Sequence, residues 1–136
     1  MPVQTRCFSN DLSELRRVSE WIRAYGREAS VDDAFTYHID LCLDEAVSNI
    51  IRHGYQDGSR GTITISLEKL DDGIRAVVTD GGPEFNPLRQ PAPTVPTTLE
   101  DVRVGGLGIH LMRAFSDAFD YRREDGRNII TLDFRR

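Results

Sequence analysis

The fold prediction starts from residues 61–80, which read GTITISLEKLDDGIRAVVTD. β-Branched residues alternate with other types through its first half, which is typical of a strand with one buried face. Asp71, Asp72 and Gly73 then supply a turn, and IRAVVTD returns as a second strand. The stretch therefore predicts a β-hairpin, and its apolar face needs cover from other parts of the chain.

The flanking segments supply further strands and that cover. Residues 3–8 alternate and predict a strand, while residues 118–124 and 128–135 alternate around a turn and predict a second hairpin. Apolar residues at helical spacing predict a first helix that ends near residue 27 and a second helix over residues 31–54. A third helix is predicted just after the glycines of residues 105–108.

This order of elements indicates an α+β two-layer sandwich. We expect a mixed, mostly antiparallel sheet of four or five strands, covered on one face by three helices. With 136 residues, the chain fits a single domain over residues 1–136 that needs neither a metal nor a disulfide to fold.

The composition narrows the functional class. The net charge is −5 and the basic residues are scattered, which argues against nucleic acid as a partner. No charged leader precedes an apolar core, and no apolar run approaches the roughly 20 residues that span a bilayer, so we expect a cytoplasmic protein. Cys7 and Cys42 lack the spacing of a metal or redox site, and their apolar neighbours predict two buried free thiols.

The second predicted helix contains the sequence DEAVSNIIRHGY at residues 44–55, in which Glu45, Asn49 and His53 are regularly spaced. Glu45 and Asn49 lie one turn apart, and His53 follows one turn later. A carboxylate and an amide oxygen on adjacent turns suit Mg²⁺ that also binds substrate phosphates. The carboxylate is also able to take a proton from a hydroxyl group. Taken alone, however, a solvated glutamate and an asparagine at the edge of the apolar face explain the same spacing.

Two glycine-containing turns offer complementary chemistry. In DGGPEF, residues 80–85, a buried Asp80 at the end of a strand needs donors such as the exocyclic amine of a base, and Gly82 lets a flat ligand approach. In GGLG, residues 105–108, free backbone N–H groups and the helix dipole favour a phosphate. Each turn is also common in proteins without a ligand. The irregular loop of residues 81–106, which holds five of the six prolines, is long enough to indicate a functional or disordered segment.

Taken together and in this order, the motifs DEAVSNIIRHGY, DGGPEFNP and VGGLGIHLM, with DGRNIITL in the last hairpin, resemble the GHKL ATPase superfamily. That superfamily includes the ATP-binding domains of gyrase, heat-shock chaperones and histidine kinases. The chain looks most like its anti-sigma-factor serine/threonine kinase branch, over nearly the whole length. The resemblance implies the left-handed ATP-binding sandwich known as the Bergerat fold.

The resemblance also implies roles for individual residues. Glu45 is then the general base, Asn49 coordinates Mg²⁺, Asp80 binds the adenine amine, and Gly82 shapes the base pocket. The other nucleotide-binding residues that it implies are Phe85, Gly105, Gly106, Leu107 and Gly108, and residues 86–104 are then the ATP lid.

The chain departs from the family pattern at two positions. Glu84 stands where the adenine motif often has a second glycine, and Val104 stands where some relatives have another glycine. Arg89 and Arg103 are the cations of the lid segment, and the sequence leaves open which of them contacts the γ-phosphate. His53 is expected to hydrogen-bond at the helix end rather than accept phosphate, because the chain has no separate acceptor hairpin.

The function that the resemblance implies is an ATP-dependent serine/threonine protein kinase that acts as an anti-sigma factor. Such a protein phosphorylates a small anti-anti-sigma antagonist of the STAS type and sequesters a sigma factor. ATP and Mg²⁺ are the implied cofactors and a homodimer is the implied assembly, without direct contact with nucleic acid or membrane. The alternative is a non-catalytic ATP-binding module that regulates a partner protein, and the presence of Glu45 favours catalysis.

Overall fold

The structure is a computed structural model that describes residues 1–55, 58–89 and 106–136, with only the backbone of residues 106–110. Its strands are β1 (Gln4–Ser9), β2 (Thr62–Leu70), β3 (Gly73–Asp80), β4 (Ala118–Glu124) and β5 (Arg127–Arg135). Its helices are α1 (Leu15–Glu28), α2 (Asp33–Asn49) and α3 (Gly106–Phe115), with 3₁₀ turns at Leu12–Glu14 and Pro87–Arg89 and a π-helical turn at Ile50–Gly54.

The five strands form one sheet in the order β1-β2-β3-β5-β4. All four pairings between these described strands are antiparallel. The predicted sheet is therefore confirmed, but its mixed character is not seen. β3 and β4 run in the same direction, but β5 lies between them and pairs antiparallel with both.

The core lies between one face of this sheet and the helices. Alternate residues of the three central strands point into it, and α1, α2 and α3 supply the opposing side chains. The core residues with the lowest exposure include Val18, Ile22, Leu43, Val47, Ile63, Ile65, Leu67, Ala76, Val78, Met112, Leu132 and Phe134. This arrangement confirms the predicted two-layer sandwich. None of the described helices combines the length and the apolarity that a membrane span requires.

The prediction of two buried thiols is correct for one cysteine and wrong for the other. Cys42 is fully buried in α2, whereas Cys7 is exposed. Cys7 precedes the buried Phe8 on β1. Because successive side chains of a strand point to opposite faces, Cys7 lies on the face of the sheet that the helices leave open.

Two helix boundaries also differ from the predictions. The α-helical hydrogen bonding of the second helix ends at Asn49, and the π-helical turn Ile50–Gly54 follows. The third helix begins at Gly106 rather than after the glycines, so Gly108 lies within its first turn. Both differences concern the segments around the candidate site.

Candidate functional site

Asn49 is the last residue of α2 and is 2% exposed. Neither Oδ1 nor Nδ2 of its side chain has a hydrogen-bond partner among the residues that the structure describes. A buried amide without partners is costly, so its burial indicates a place for a ligand. An amide oxygen is a hard ligand of the kind that Mg²⁺ prefers, and Asn49 therefore fits the implied metal.

Glu45 lies one helical turn before Asn49 and is half-buried. Burial raises the pKa of its carboxyl group above the ordinary value, the adjacent Asp44 carboxylate raises it further, and Arg52 lowers it. The alternative explanation of this spacing, a fully solvated glutamate, therefore does not describe Glu45. A carboxylate with a raised pKa is a stronger base than an ordinary glutamate, and such a shift is common at catalytic sites.

The π-helical turn Ile50–Gly54 directs His53 toward the turn that follows β3. The His53 ring stacks on the Phe85 ring, with centroids 5.1 Å apart and an interplanar angle of 9°. The contact that the structure describes for His53 is thus an aromatic stack, not the hydrogen bond that we expected. π-Helical turns are frequent at functional sites, and this one connects the end of α2 to the motif that begins at Asp80.

Asp80 ends β3 and is 3% exposed. Its Oδ2 accepts hydrogen bonds from the Gly82 backbone N–H at 2.9 Å and from Asn128 Nδ2 at 3.3 Å. Its Oδ1 has no partner within the described part of the chain. Burial raises the pKa of this carboxyl group, although the bonds from Gly82 and Asn128 and the charge of Arg123 oppose that rise. The free oxygen is suited to an amine donor such as the one that adenine carries.

Gly82 has no room for a side chain. A Cβ at this position would lie 2.9 Å from Asp80 Oδ2 and 3.4 Å from Tyr55 Cζ. A cavity of about 480 Å³ opens beside these three residues. Neither Glu45 nor Asn49 lines that cavity. Thr64 and Thr79, which also line the cavity, lie on the face of the sheet that the helices leave open, so the cavity is not assigned to the site.

Asn128 organises the turn of residues 81–85, and the sequence reasoning did not single it out. It is 3% exposed. Its Nδ2 donates to the Pro83 carbonyl at 2.8 Å, and its Oδ1 accepts from the Phe85 N–H at 3.2 Å, from Tyr121 Oη at 2.6 Å and from Arg123 Nη1 at 3.1 Å. Asn128 lies directly opposite Asp80 in the pairing of β5 with β3. That register is the signal that identifies it, and register cannot be read from an isolated motif.

Contacts between α2 and α3 fix the direction of the third helix. The Cys42 thiol donates to the Leu111 carbonyl at 3.8 Å, and the His38 and Phe115 rings stack with centroids 4.6 Å apart. In these two contacts the residue number decreases along α2 as it increases along α3, so the two helices run antiparallel. The N-terminus of α3 at Gly106 therefore lies toward the C-terminal end of α2. The positive end of a helix dipole favours phosphates, which agrees with the implied role of the glycine turn.

Several predicted site residues lie outside the described residues. These are Gly105, Arg103 and the lid segment from residue 90 onward, together with the side chain of Leu107. Arg89 is described and is exposed at the end of a 3₁₀ turn. The described residues hold no cluster of three or more histidine, cysteine or acidic side chains that is suited to a metal. A metal at Asn49 would thus depend on substrate phosphates and water for most of its ligands, which is the usual coordination of Mg²⁺.

A family model for the histidine kinase-like ATPase domain matches residues 8–134 of the chain. The chain belongs to this family. As a histidine kinase-like ATPase domain, it resembles the serine/threonine-protein kinase BtrW of Bordetella bronchiseptica, with 33% identity over 71% of this chain and 68% of the relative. It also resembles the anti-sigma F factor of Clostridium beijerinckii, with 28% identity over 65% of this chain and 62% of the relative.

A solved structure agrees with the fold of this histidine kinase-like ATPase domain. The structure of the RsbU and RsbW domains of a Mycobacterium tuberculosis protein matches 99% of this chain, with a TM-score of 0.71 and 21% identity. The match covers 32% of that protein's chain. At this identity the match concerns the fold, which places the chain's α/β sandwich among the folds of the family.

Proposed function

We propose that this histidine kinase-like ATPase domain is an ATP-dependent protein kinase that phosphorylates a serine or threonine of a small antagonist protein. The observation that carries the proposal is the pair formed by Glu45 and Asn49. A half-buried carboxylate with a raised pKa lies one turn from a buried amide that has no partner among the described residues. The kinase names of the relatives support the same activity.

The proposed chemistry assigns one task to each end of the site. Asp80 and the turn braced by Asn128 hold and orient the adenine. Glu45 accepts the proton of the acceptor hydroxyl as that oxygen attacks the γ-phosphorus of ATP. The new bond joins the acceptor oxygen to phosphorus, the bond from phosphorus to the β,γ-bridging oxygen breaks, and ADP leaves. Such a transfer depends mainly on positioning and on neutralisation of charge.

Mg²⁺ is the metal that the Asn49 amide oxygen fits best. When bound, it would neutralise charge on the phosphates during transfer. The chain itself contributes the amide oxygen at the end of α2 and the positive end of the α3 dipole. Asn49 gains the partner that its buried side chain lacks in the described structure.

We further infer that the protein acts as an anti-sigma factor, sequesters a sigma factor, and is antagonised by a STAS-type protein that it phosphorylates. The name of the Clostridium relative supports this inference. A cytoplasmic homodimer that does not contact nucleic acid directly is the corresponding assembly. The net charge of −5 is consistent with protein partners rather than nucleic acid.

The test is transfer of label from γ-labelled ATP to purified STAS-type proteins encoded in the same genome. We expect Glu45→Gln to lower the rate of transfer by about 100-fold or more, because a positioned general base contributes roughly 10²–10⁴-fold. The matched control is Glu20→Gln, the same change at an exposed glutamate of α1. It should keep transfer near the wild-type rate.

The outcomes separate the kinase from the non-catalytic alternative. Label on an acceptor serine or threonine that disappears with Glu45→Gln supports the kinase. Binding of Mg-ATP without any label on an acceptor supports a regulatory module instead. Full transfer by Glu45→Gln means that Glu45 is not the base.

A further inference from the structure

An exposed aromatic surface lies on α2 and α3, two turns from Glu45. We define it as the aromatic patch of Tyr37, His38 and Phe115. Tyr37 is 61% exposed and Phe115 is 37% exposed. The other large hydrophobic residues that are exposed in the described chain all lie within its first twelve residues. Exposed apolar side chains that cluster away from the termini often mark interaction sites.

The patch is built from ordered contacts rather than from isolated side chains. His38 stacks on Phe115 with an interplanar angle of 20°, and the Tyr37 ring lies 6.4 Å from the His38 ring. Tyr37 also borders a recess of about 390 Å³ between α1 and α2, where Arg23 and Asp40 form an ion pair at 3.8 Å. The patch and the recess together give a partner both a flat aromatic surface and a place for a side chain.

The position of the patch follows from helix geometry. His38, Glu45 and Asn49 occupy one stripe of α2, because separations of seven and four residues return to nearly the same side of a helix. His38 is about 10 Å from Glu45 along the axis, at roughly 1.5 Å per residue. Asn49 lies beyond Glu45 in the opposite direction. Glu45 thus separates the metal-binding end of the stripe from the aromatic end.

The direction of phosphoryl transfer then decides which partner uses the patch. The attacking and leaving oxygens lie roughly in line on opposite sides of the γ-phosphorus. The nucleotide approaches Glu45 from the side of Asn49 and the N-terminus of α3. An acceptor hydroxyl that arrives from the His38 side would lie opposite that approach.

From this geometry we propose that the aromatic patch docks the protein that carries the acceptor serine or threonine. The proposal rests on the kinase function proposed above. An extended segment spans about 3.3 Å per residue, so the segment would place an apolar or aromatic side chain on the patch about three residues from the acceptor. The substrate class is thus a folded protein or exposed loop with an apolar residue at that spacing.

The experiment compares Tyr37→Ala with Leu12→Ala, using purified STAS-type proteins from the same genome and γ-labelled ATP. Leu12 is a matched control because it is 44% exposed and lies in a different part of the chain. We expect Tyr37→Ala to raise the KM for the acceptor protein about tenfold, as is common when a central aromatic contact is removed. The kcat and the Kd for ATP should stay within about twofold. Tyr37→Phe should restore most of the affinity, since it keeps the ring.

The possible outcomes distinguish failure of this proposal from failure of the kinase function. If the wild-type protein labels none of these acceptors, the proposed kinase function is wrong and the docking surface is wrong with it. If the wild-type protein transfers label and Tyr37→Ala leaves the KM unchanged, only the docking surface is refuted. A change from dimer to monomer in sedimentation, with the KM unchanged, would assign the patch to contact between two copies and also refute the proposal.

Discussion

Two buried asparagines provide a matched pair for testing how this site is built. Asn49 and Asn128 are 2% and 3% exposed, yet Asn128 has partners for its whole amide and Asn49 has none in the described structure. We predict that Asn128→Ala lowers the free energy of unfolding substantially without nucleotide, while Asn49→Ala hardly changes it. The two variants remove the same atoms from equally buried positions, so the difference reports the hydrogen bonds.

The magnitude follows from the contacts of each residue. Asn128 makes five hydrogen bonds, at 2.6, 2.8, 3.1, 3.2 and 3.3 Å. Each contributes about 1 kcal/mol net, and exposed partners such as Arg123 regain water after the change, so we expect a loss of about 2–4 kcal/mol. Asn49→Ala loses packing but also removes an unpaired buried amide. These two terms are each about 1–3 kcal/mol and oppose each other, so the net change should be within about 1 kcal/mol.

Urea unfolding without nucleotide measures both changes, provided that the slope of the transition stays the same. A second series with Mg-ATP at about 100 times its Kd should stabilise the wild-type protein by about 2.7 kcal/mol. It should stabilise Asn49→Ala far less if Asn49 is the metal ligand that we propose. Equal destabilisation by the two variants, or an undiminished effect of Mg-ATP on Asn49→Ala, would refute the assignment of Asn49 as an amide that waits for a ligand.

Three further predictions concern the Asp80 turn and the cysteines. Asp80→Asn should be more stable than wild type in urea at pH 7. The folded-state pKa of Asp80 is raised above its ordinary value of 3.8. Wild-type stability is therefore lost as pH rises from 3.8 through the folded-state pKa. The difference in the free energy of unfolding between Asp80→Asn and wild type should close as pH falls toward 3.8. Gly82→Ala should weaken ATP binding about tenfold in calorimetry, because its Cβ would lie 2.9 Å from Asp80 Oδ2. Gly81→Ala, which has no atom within 4 Å of the added Cβ, should bind normally. A thiol reagent should react quickly with the exposed Cys7 alone, since Cys42 is buried and burial raises its pKa to about 12; Cys7→Ser should then remove the fast reaction.

The strands and helices were predictable because their signals are local. Alternation over residues 61–80 indicates a hairpin wherever it occurs, and the structure places β2 and β3 there. The helical spacing around Glu45 likewise predicted α2. The ends of elements were less predictable, because they depend on what lies next to them: the π-helical turn Ile50–Gly54 forms where His53 meets Phe85.

The order of the elements and the family could be predicted from the sequence, which also pointed to Glu45, Asn49 and Asp80 as the residues proposed to carry the chemistry. All of these follow from short motifs and from their order along the chain. The hydrogen-bond partners of those groups follow only from the folded structure. Asn128 braces the turn after Asp80 because β5 pairs with β3, although the two residues are 48 positions apart. Burial and hydrogen bonding depend on such distant neighbours, and they are what distinguish a polar residue that is satisfied by its own fold from one that is left free for a ligand.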